Sequence, residues 1–286
     1  MAERDASKTA LGVAALRAVH QLFDAEPKIL EDPIAAQLLD ADFLTQVREN
    51  RERANDPVMR ALRGHVVLRS RYSEDRLAAA VKRGIRQCVI LGAGFDTFAY
   101  RPPEWAKPLR IFEVDHPGTQ REKRERLQVA GIAIPDNLEF VSIDFERVSL
   151  HDGLRASTLD FSQPTFFSCL GVLVYLSEEA IRAVFQLVAS FPASSEIVFT
   201  FSMADSALSE KEVERKQKMA ARVDSLGEPW QTHFDPEQLA RELGEYGFSE
   251  FTILDTEQER QYFADRHDQL RPGRRSPIAA AIVGSR

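Results

Sequence analysis

The sequence predicts an α/β fold: a seven-stranded, doubly wound sheet with an antiparallel last strand, a helical cap in front of it and a helical lid inserted into it. Three observations carry this. From residue 87 onward short apolar runs alternate with helical patterns, the signature of a doubly wound sheet. Residues 1–86 hold helical patterns and no strand-like run. The last two strand-like runs are separated by some twenty polar residues with no convincing crossover helix, and a parallel strand needs a crossover, so these two form an antiparallel hairpin.

In chain order, "TALGVAALRAVHQLF" reads as the first cap helix, and "PIAAQLLDADFL" as a second that begins at an Asp32 cap followed by Pro33. The predicted strands are "QCVILG", "LRIFEVD", "LEFVSID", "TFFSCLG", "EIVFTFS", "EFTILD" and "IAAAIVG". In "SEEAIRAVFQLVASF", Ile181, Val184, Phe185, Val188 and Phe191 recur at helical spacing and face the sheet. The stretch "SEKEVERKQKMAARVDSLG" is polar and helical, and its place after the fifth strand makes it a lid over the carboxyl edge. In "FDPEQLARELGEYGF", Asp235 caps, Pro236 takes the first helical position, Gln238 completes a capping pattern and Gly247 ends the helix. The expected organisation is a cap over 1–86 and a core over 87–286, with the lid at about 204–234, in one compact unit.

Composition narrows the function. A formal charge of -7 supplies no basic field for a polyphosphate backbone, so nucleic acid is not the expected partner. The two cysteines, Cys88 and Cys169, lie in apolar runs and fit neither a metal site nor a disulfide framework; no metal is expected. The first residues lack a signal-peptide pattern and no apolar run is long enough to span a bilayer, so the expectation is a cytoplasmic protein without a membrane partner.

The ligand of a doubly wound sheet sits beyond the carboxyl ends of its strands, which places Gly92, Gly94 and the segment to Asp96 at the site. The dinucleotide fingerprint requires a third glycine where this chain has Thr97, and Asp96 is a poor neighbour for a pyrophosphate. The second strand ends in Glu113 and Asp115, either of which can accept the hydroxyls of a ribose; the third ends in Asp144 and Phe145, which can bond an adenine amino group and cover the ring. A ribose and an adenine without phosphate describe S-adenosylmethionine.

These residues carry a family resemblance. "KTALGVAALRAVHQ", "DPIAAQLL", "LRSRYSEDRL", "RQCVILGAGFDTFAYR", "FEVDHPGTQREK", "SIDFE" and "LGVLVYLSEEAI" resemble the leucine carboxyl methyltransferase family, in its bacterial S-adenosylmethionine-dependent branch, over about residues 8–190. The resemblance implies a class I, Rossmann-like methyltransferase fold and O-methylation of a small acceptor carboxylate or hydroxyl. By position it implies that Arg69 engages the cofactor carboxylate, Gly92 meets the cofactor, Asp115 rather than Glu113 binds the ribose, and Asp144 with Phe145 lie at the adenine. One departure stands out: the family glutamate before the "VLVY" segment is replaced by Leu170.

A carboxylate acceptor is ionised at neutral pH and needs no base, whereas a phenol needs one. Candidates for catalysis are Arg17, as a ligand for an acceptor or cofactor carboxylate, with His20 and Tyr175; Tyr72, His116 and His233 are further titratable groups, and Phe95, Phe145 and Trp230 could face a sulfonium. Other readings are phenol or enol methylation in natural-product tailoring, a non-catalytic S-adenosylmethionine-binding protein and, last, a nicotinamide-dependent oxidoreductase. The acceptor's identity and the oligomeric state are not written in the sequence.

Overall fold

The computed structural model describes residues 7–285 apart from 51, 53, 54, 146, 225, 226, 228, 274 and 275. Seven strands form one sheet in the order β3-β2-β1-β4-β5-β7-β6. They are β1 (Gln87–Leu91), β2 (Arg110–Asp115), β3 (Leu138–Ser142), β4 (Thr165–Cys169), β5 (Glu196–Thr200), β6 (Phe248–Ile253) and β7 (Ile278–Val283). The first five pair in parallel, and β7 runs antiparallel to both β5 and β6, as the missing crossover predicts.

Strand alternation splits the core into two layers. Val89, Leu91, Phe112, Phe167 and Phe199 face one side, while Cys88, Ile90, Ile111, Phe166 and Val198 face the other. Each fully buried phenylalanine contributes roughly 1.5–3 kcal/mol relative to exposure. The first side is covered in part by helices whose residue ranges match the sequence patterns. Glu178–Ala189 buries Ile181, Val184, Phe185 and Val188, and Phe191 just beyond it is also buried. Pro236–Tyr246 is capped by Asp235, whose carboxylate accepts from the Glu237 and Gln238 amides, and stops at Gly247 with φ of 107°.

The second side is covered by α3 (Pro57–Lys82), which follows α1 (Lys8–Phe23) and α2 (Ala41–Glu49). Ser7 caps α1 by accepting from Ala10 N at 3.0 Å, and Asp56 caps α3. Arg76 of α3 and Arg83, which caps its C-terminus, close on Glu196, a carboxylate buried at the start of β5. Asp24, just past α1, takes a two-pronged hydrogen bond from Arg63 of α3, each arm 2.7 Å.

One predicted helix is absent as drawn. Residues 33–38 form turns, and helix starts only at Ala41. Asp32 does accept from Ala35 N, at 3.0 Å, but its carboxylate is fully buried between Arg17 and Arg101, at 3.3 and 3.4 Å. The backbone that follows closes Ala35, Gln37 and Leu39 on carbonyls three residues back, so the turns do not propagate as an α-helix.

The polar stretch after β5 forms a helix over Glu210–Asp224, tethered by Lys216 Nζ to Met203 O at 2.8 Å and Asp205 Oδ1 at 2.7 Å. The chain then returns to the sheet edge, where Gln231 N donates to Val174 O at 2.7 Å and Thr232 Oγ1 donates to Leu173 O and Leu176 O. Both cysteines are buried, and burial pushes their thiols up, so they act as small apolar side chains. No described helix is long and apolar enough to cross a membrane.

Candidate functional site

The parallel register aligns Leu91 with Val114, and Val114 with Val141, so β1, β2 and β3 end together. A cavity of about 260 Å³ opens over those ends. Its wall is first of all backbone. Gly92 and Gly94 have φ of 64° and 49°, in the left-handed region that glycine adopts without strain. A Cβ on Gly92 would lie 2.3 Å from Val172 Cγ2, and one on Gly94 would lie 3.0 Å from Ala10 Cβ. The turn is therefore pinned between the segment after β4 and the first turn of α1.

Asp115 completes the turn. Its carboxylate accepts from Gly94 N and from His116 N, the latter at 2.6 Å. Burial raises its pKa, and those two amides oppose the rise by favouring the charged form. Glu113 has a different fate. It is fully buried, pairs with Lys123 Nζ at 2.6 Å, and is pushed up to about 7 by burial against the pull of that lysine. Two residues short of the strand end, it does not reach the cavity.

Arg69, Gly92, Gly94, Asp115, Asp144 and Phe145 all line this one cavity. Asp144 stands 3.4 Å from Arg147 and 3.8 Å from His116, whose ring accepts from Gly118 N at 3.1 Å and so caps the helix after β2. Arg69 reaches in from α3 beside Gly171, where a Cβ would lie 2.7 Å from Nη1. Burial lowers Arg69 to about 10, partly offset by Tyr175 and Asp96, so it stays cationic at neutral pH. Leu170 also lines the cavity, and the carboxylates lining it are Asp96, Asp115 and Asp144.

The catalytic candidates separate. Arg17 lines the cavity, but its guanidinium is committed: it donates to Phe95 O and lies 3.3 Å from Asp32 and 3.5 Å from Asp96. It clamps the glycine turn to α1, and Asp32 and Asp96 flank its charge. His20 is not at the site. Its buried ring donates through Nδ1 to Asp24 at 2.8 Å and accepts from Ile29 N through Nε2 at 3.2 Å, and burial lowers its pKa. His20 is kept from the cavity because α1 is covered on that side too. Tyr175, in a short 3-10 turn over Leu173–Tyr175, does face the cavity. Tyr72 and His233 lie outside it, the latter bonded to Ser202 Oγ at 2.9 Å.

A second cavity, about 480 Å³, adjoins the first and has no counterpart in the sequence reading. The two share Thr9, Val13, Arg69, Gly171 and Tyr175. Its walls are α1, α2 and α3, with Met219 and Trp230 contributed by the insertion after β5. Apolar positions on three separate helices carry no local signal that they enclose a shared space. The one available hint is Gly12, a glycine inside an otherwise well-formed helix pattern; a Cβ there meets nothing within 4 Å.

The donor set of the first cavity fits an adenosyl group bearing an amino acid: fixed carboxylates at two strand ends, an aromatic ring, a tight glycine turn and one available arginine. A family model for leucine carboxyl methyltransferases matches residues 10–189. The chain is 33% identical to YktD of Bacillus subtilis (strain 168), which carries the name of an S-adenosyl-L-methionine-dependent methyltransferase, with 94% of this chain and 95% of that protein covered. A Mycolicibacterium paratuberculosis protein named for the same activity is 33% identical over 65% of this chain and 62% of its own length. Among solved structures, one described as a methyltransferase from Thermobifida fusca YX superposes with a TM-score of 0.52 at 19% identity, covering 96% of this chain and 94% of that one, which is a likeness of fold.

Proposed function

We propose a cofactor site and an acceptor chemistry for this protein from one premise: the chain belongs to the leucine carboxyl methyltransferase family and is an S-adenosylmethionine-dependent methyltransferase. In our reading the cofactor lies in the cavity over the Gly92–Gly94 turn, and the methyl group passes to an oxygen of a small acceptor, a carboxylate or a hydroxyl. When bound, S-adenosylmethionine supplies an electrophilic methyl on a sulfonium, and transfer leaves S-adenosylhomocysteine.

Each residue then has a task its surroundings suit it for. Asp115 accepts the ribose hydroxyls, because two backbone amides already hold its carboxylate in place. Asp144 and Phe145 receive the adenine edge and face. Arg69 takes the amino-acid carboxylate with its fork of donors. Asp96 lines the same cavity as Leu170 and supplies the carboxylate that Leu170 cannot. Arg17 positions rather than reacts, holding Phe95 and Asp96 against α1. The helices before residue 87 and the segment at about 204–234 serve as cap and lid over the carboxyl edge.

A carboxylate acceptor needs only alignment and exclusion of water, and among the described residues that line the first cavity the one histidine, His116, is spent on a helix cap. That favours carboxylate over phenol. The observation that carries the reading is the convergence of Arg69, Gly92, Asp115, Asp144 and Phe145 on one cavity. Calorimetric titration with S-adenosylmethionine, S-adenosylhomocysteine and NAD tests it. Micromolar binding of both adenosyl ligands and none of NAD is expected; the reverse pattern would sink it. Transfer of labelled methyl to carboxylic and phenolic acceptors then separates the two chemistries.

A further inference from the structure

The second cavity is a slot between two antiparallel helices. Thr9 of α1 and Arg69 of α3 stand at the seam with the first cavity, while Val19 and Met59 lie at the far end. From Arg69 to Met59 is ten residues of α-helix, about 15 Å. Phe43 and Val47 of α2 roof it, and its lining is mostly apolar.

Three features describe what fits. No Asp or Glu is among the described residues that line the slot, in a chain that carries 44 acidic against 37 basic residues. Three cations line it, Lys8, Arg63 and Arg69; Arg63 is already held by Asp24, and Arg69 is the one of the three that also lines the first cavity, at the seam. Two polar atoms on its walls, Thr9 Oγ1 and Trp230 Nε1, are buried without a hydrogen-bond partner, a cost that a bound oxygen would remove.

We propose that this slot is the acceptor site and that it takes an elongated apolar monocarboxylic acid, its tail along α1 and α3 and its carboxylate at the seam beside Arg69 and Tyr175. The proposal rests on the cofactor site described above. Because Arg69 lines both cavities, its fork can serve a carboxylate on each side. A carboxylate oxygen forms the new bond to the methyl carbon as the carbon–sulfur bond breaks with its electron pair going to sulfur, and no proton moves. The product is a neutral methyl ester, which Arg69 no longer holds. A slot of this length accommodates an unbranched chain of about ten to twelve carbons.

The test is calorimetric titration of protein saturated with S-adenosylhomocysteine, using hexanoate, octanoate, decanoate, hexadecanoate, decanol and a short peptide ending in leucine. Affinity is expected to rise about fourfold per added methylene up to about decanoate and then level off. Decanol and the peptide should bind at least tenfold more weakly than decanoate. Gly12→Phe, which fills the slot from a helix position whose Cβ meets nothing, should cut decanoate affinity at least tenfold and leave S-adenosylhomocysteine affinity unchanged. Met59→Ala should move the plateau to longer chains, a gain that misfolding cannot imitate. Equal binding of decanol and decanoate, a flat response to chain length, tighter binding of the peptide, or indifference to both variants overturns the proposal. If S-adenosylhomocysteine itself does not bind, the cofactor site is wrong; the same acids titrated into the free protein then decide the slot by the same criteria.

Discussion

The two cavities share Arg69, Gly171 and Tyr175, yet they are made of different material. The first is walled by strand ends and by backbone in a conformation that glycine permits, with a carboxylate locked by two amides. The second is walled mainly by side chains on three helices, with Met219 and Trp230 added from the insertion after β5. A backbone wall tolerates little: a single methyl at Gly92 would collide with Val172. A side-chain wall can be resized one residue at a time. The shape of the first cavity is thus fixed by the fold, whereas the second can be resized at positions that the two do not share.

The largest effect that would sharpen this contrast is expected from Asp115→Ala. Removing a charged acceptor of two hydrogen bonds costs about 3 kcal/mol or more, so S-adenosylhomocysteine affinity should fall at least ~100-fold in calorimetry. A loss below threefold would break the assignment. Gly92→Ala should follow, with affinity down about tenfold from the strain of φ at 64° and the 2.3 Å approach to Val172. Adding Val172→Ala should restore the part due to collision and leave the part due to φ.

Next comes the tie between the end of α1 and α3. Burial alone would raise the Asp24 carboxyl, but hydrogen bonds from His20 and Arg63 overcome it and hold it at about 2, against an ordinary value of 3.8. A carboxyl held low in the folded state stabilises above its ordinary value, and that stability is lost as pH falls from about 4 toward 2. The contribution at neutral pH is about 2 kcal/mol. Asp24→Asn should therefore lower chemical-denaturation stability at pH 7 by about that amount and flatten its decline between pH 4 and 2; an unchanged acid limb would refute the linkage. The smallest effect is expected from Phe43→Leu in the slot roof: a few-fold change in acceptor preference, read by competition between two acids, with cofactor affinity unaltered.

The same division explains what was legible in the sequence. Strand ends announce themselves through short apolar runs, and the chemistry at their carboxyl edge follows in order, so Gly92, Asp115, Asp144 and Phe145 could be brought together on paper. Asp235 and Gly247 marked a helix's ends because capping is local. Asp32 misled for the same reason: a good cap signal was outweighed by the pull of Arg17 and Arg101, which lie far off in sequence. Arg17 and His20 looked available because nothing in "ALRAVHQLF" records Asp96, Asp32 or Asp24 closing on them. The slot was invisible because a space between helices is a property of how they pack, and apolar residues that bound a cavity look the same in sequence as those that fill a core.

The slot's walls also differ from one another. Helix α3 is riveted at both ends, by Arg63 to Asp24 and by Arg76 and Arg83 to Glu196. Helix α2 buries none of its nine residues. Segments with so little buried contact open locally at small free-energy cost while the rest of the molecule stays closed, and their amides exchange hydrogen fastest. Of the slot's three helical walls, α2 is therefore the one that opens most readily, while α3 stays held by its ion pairs.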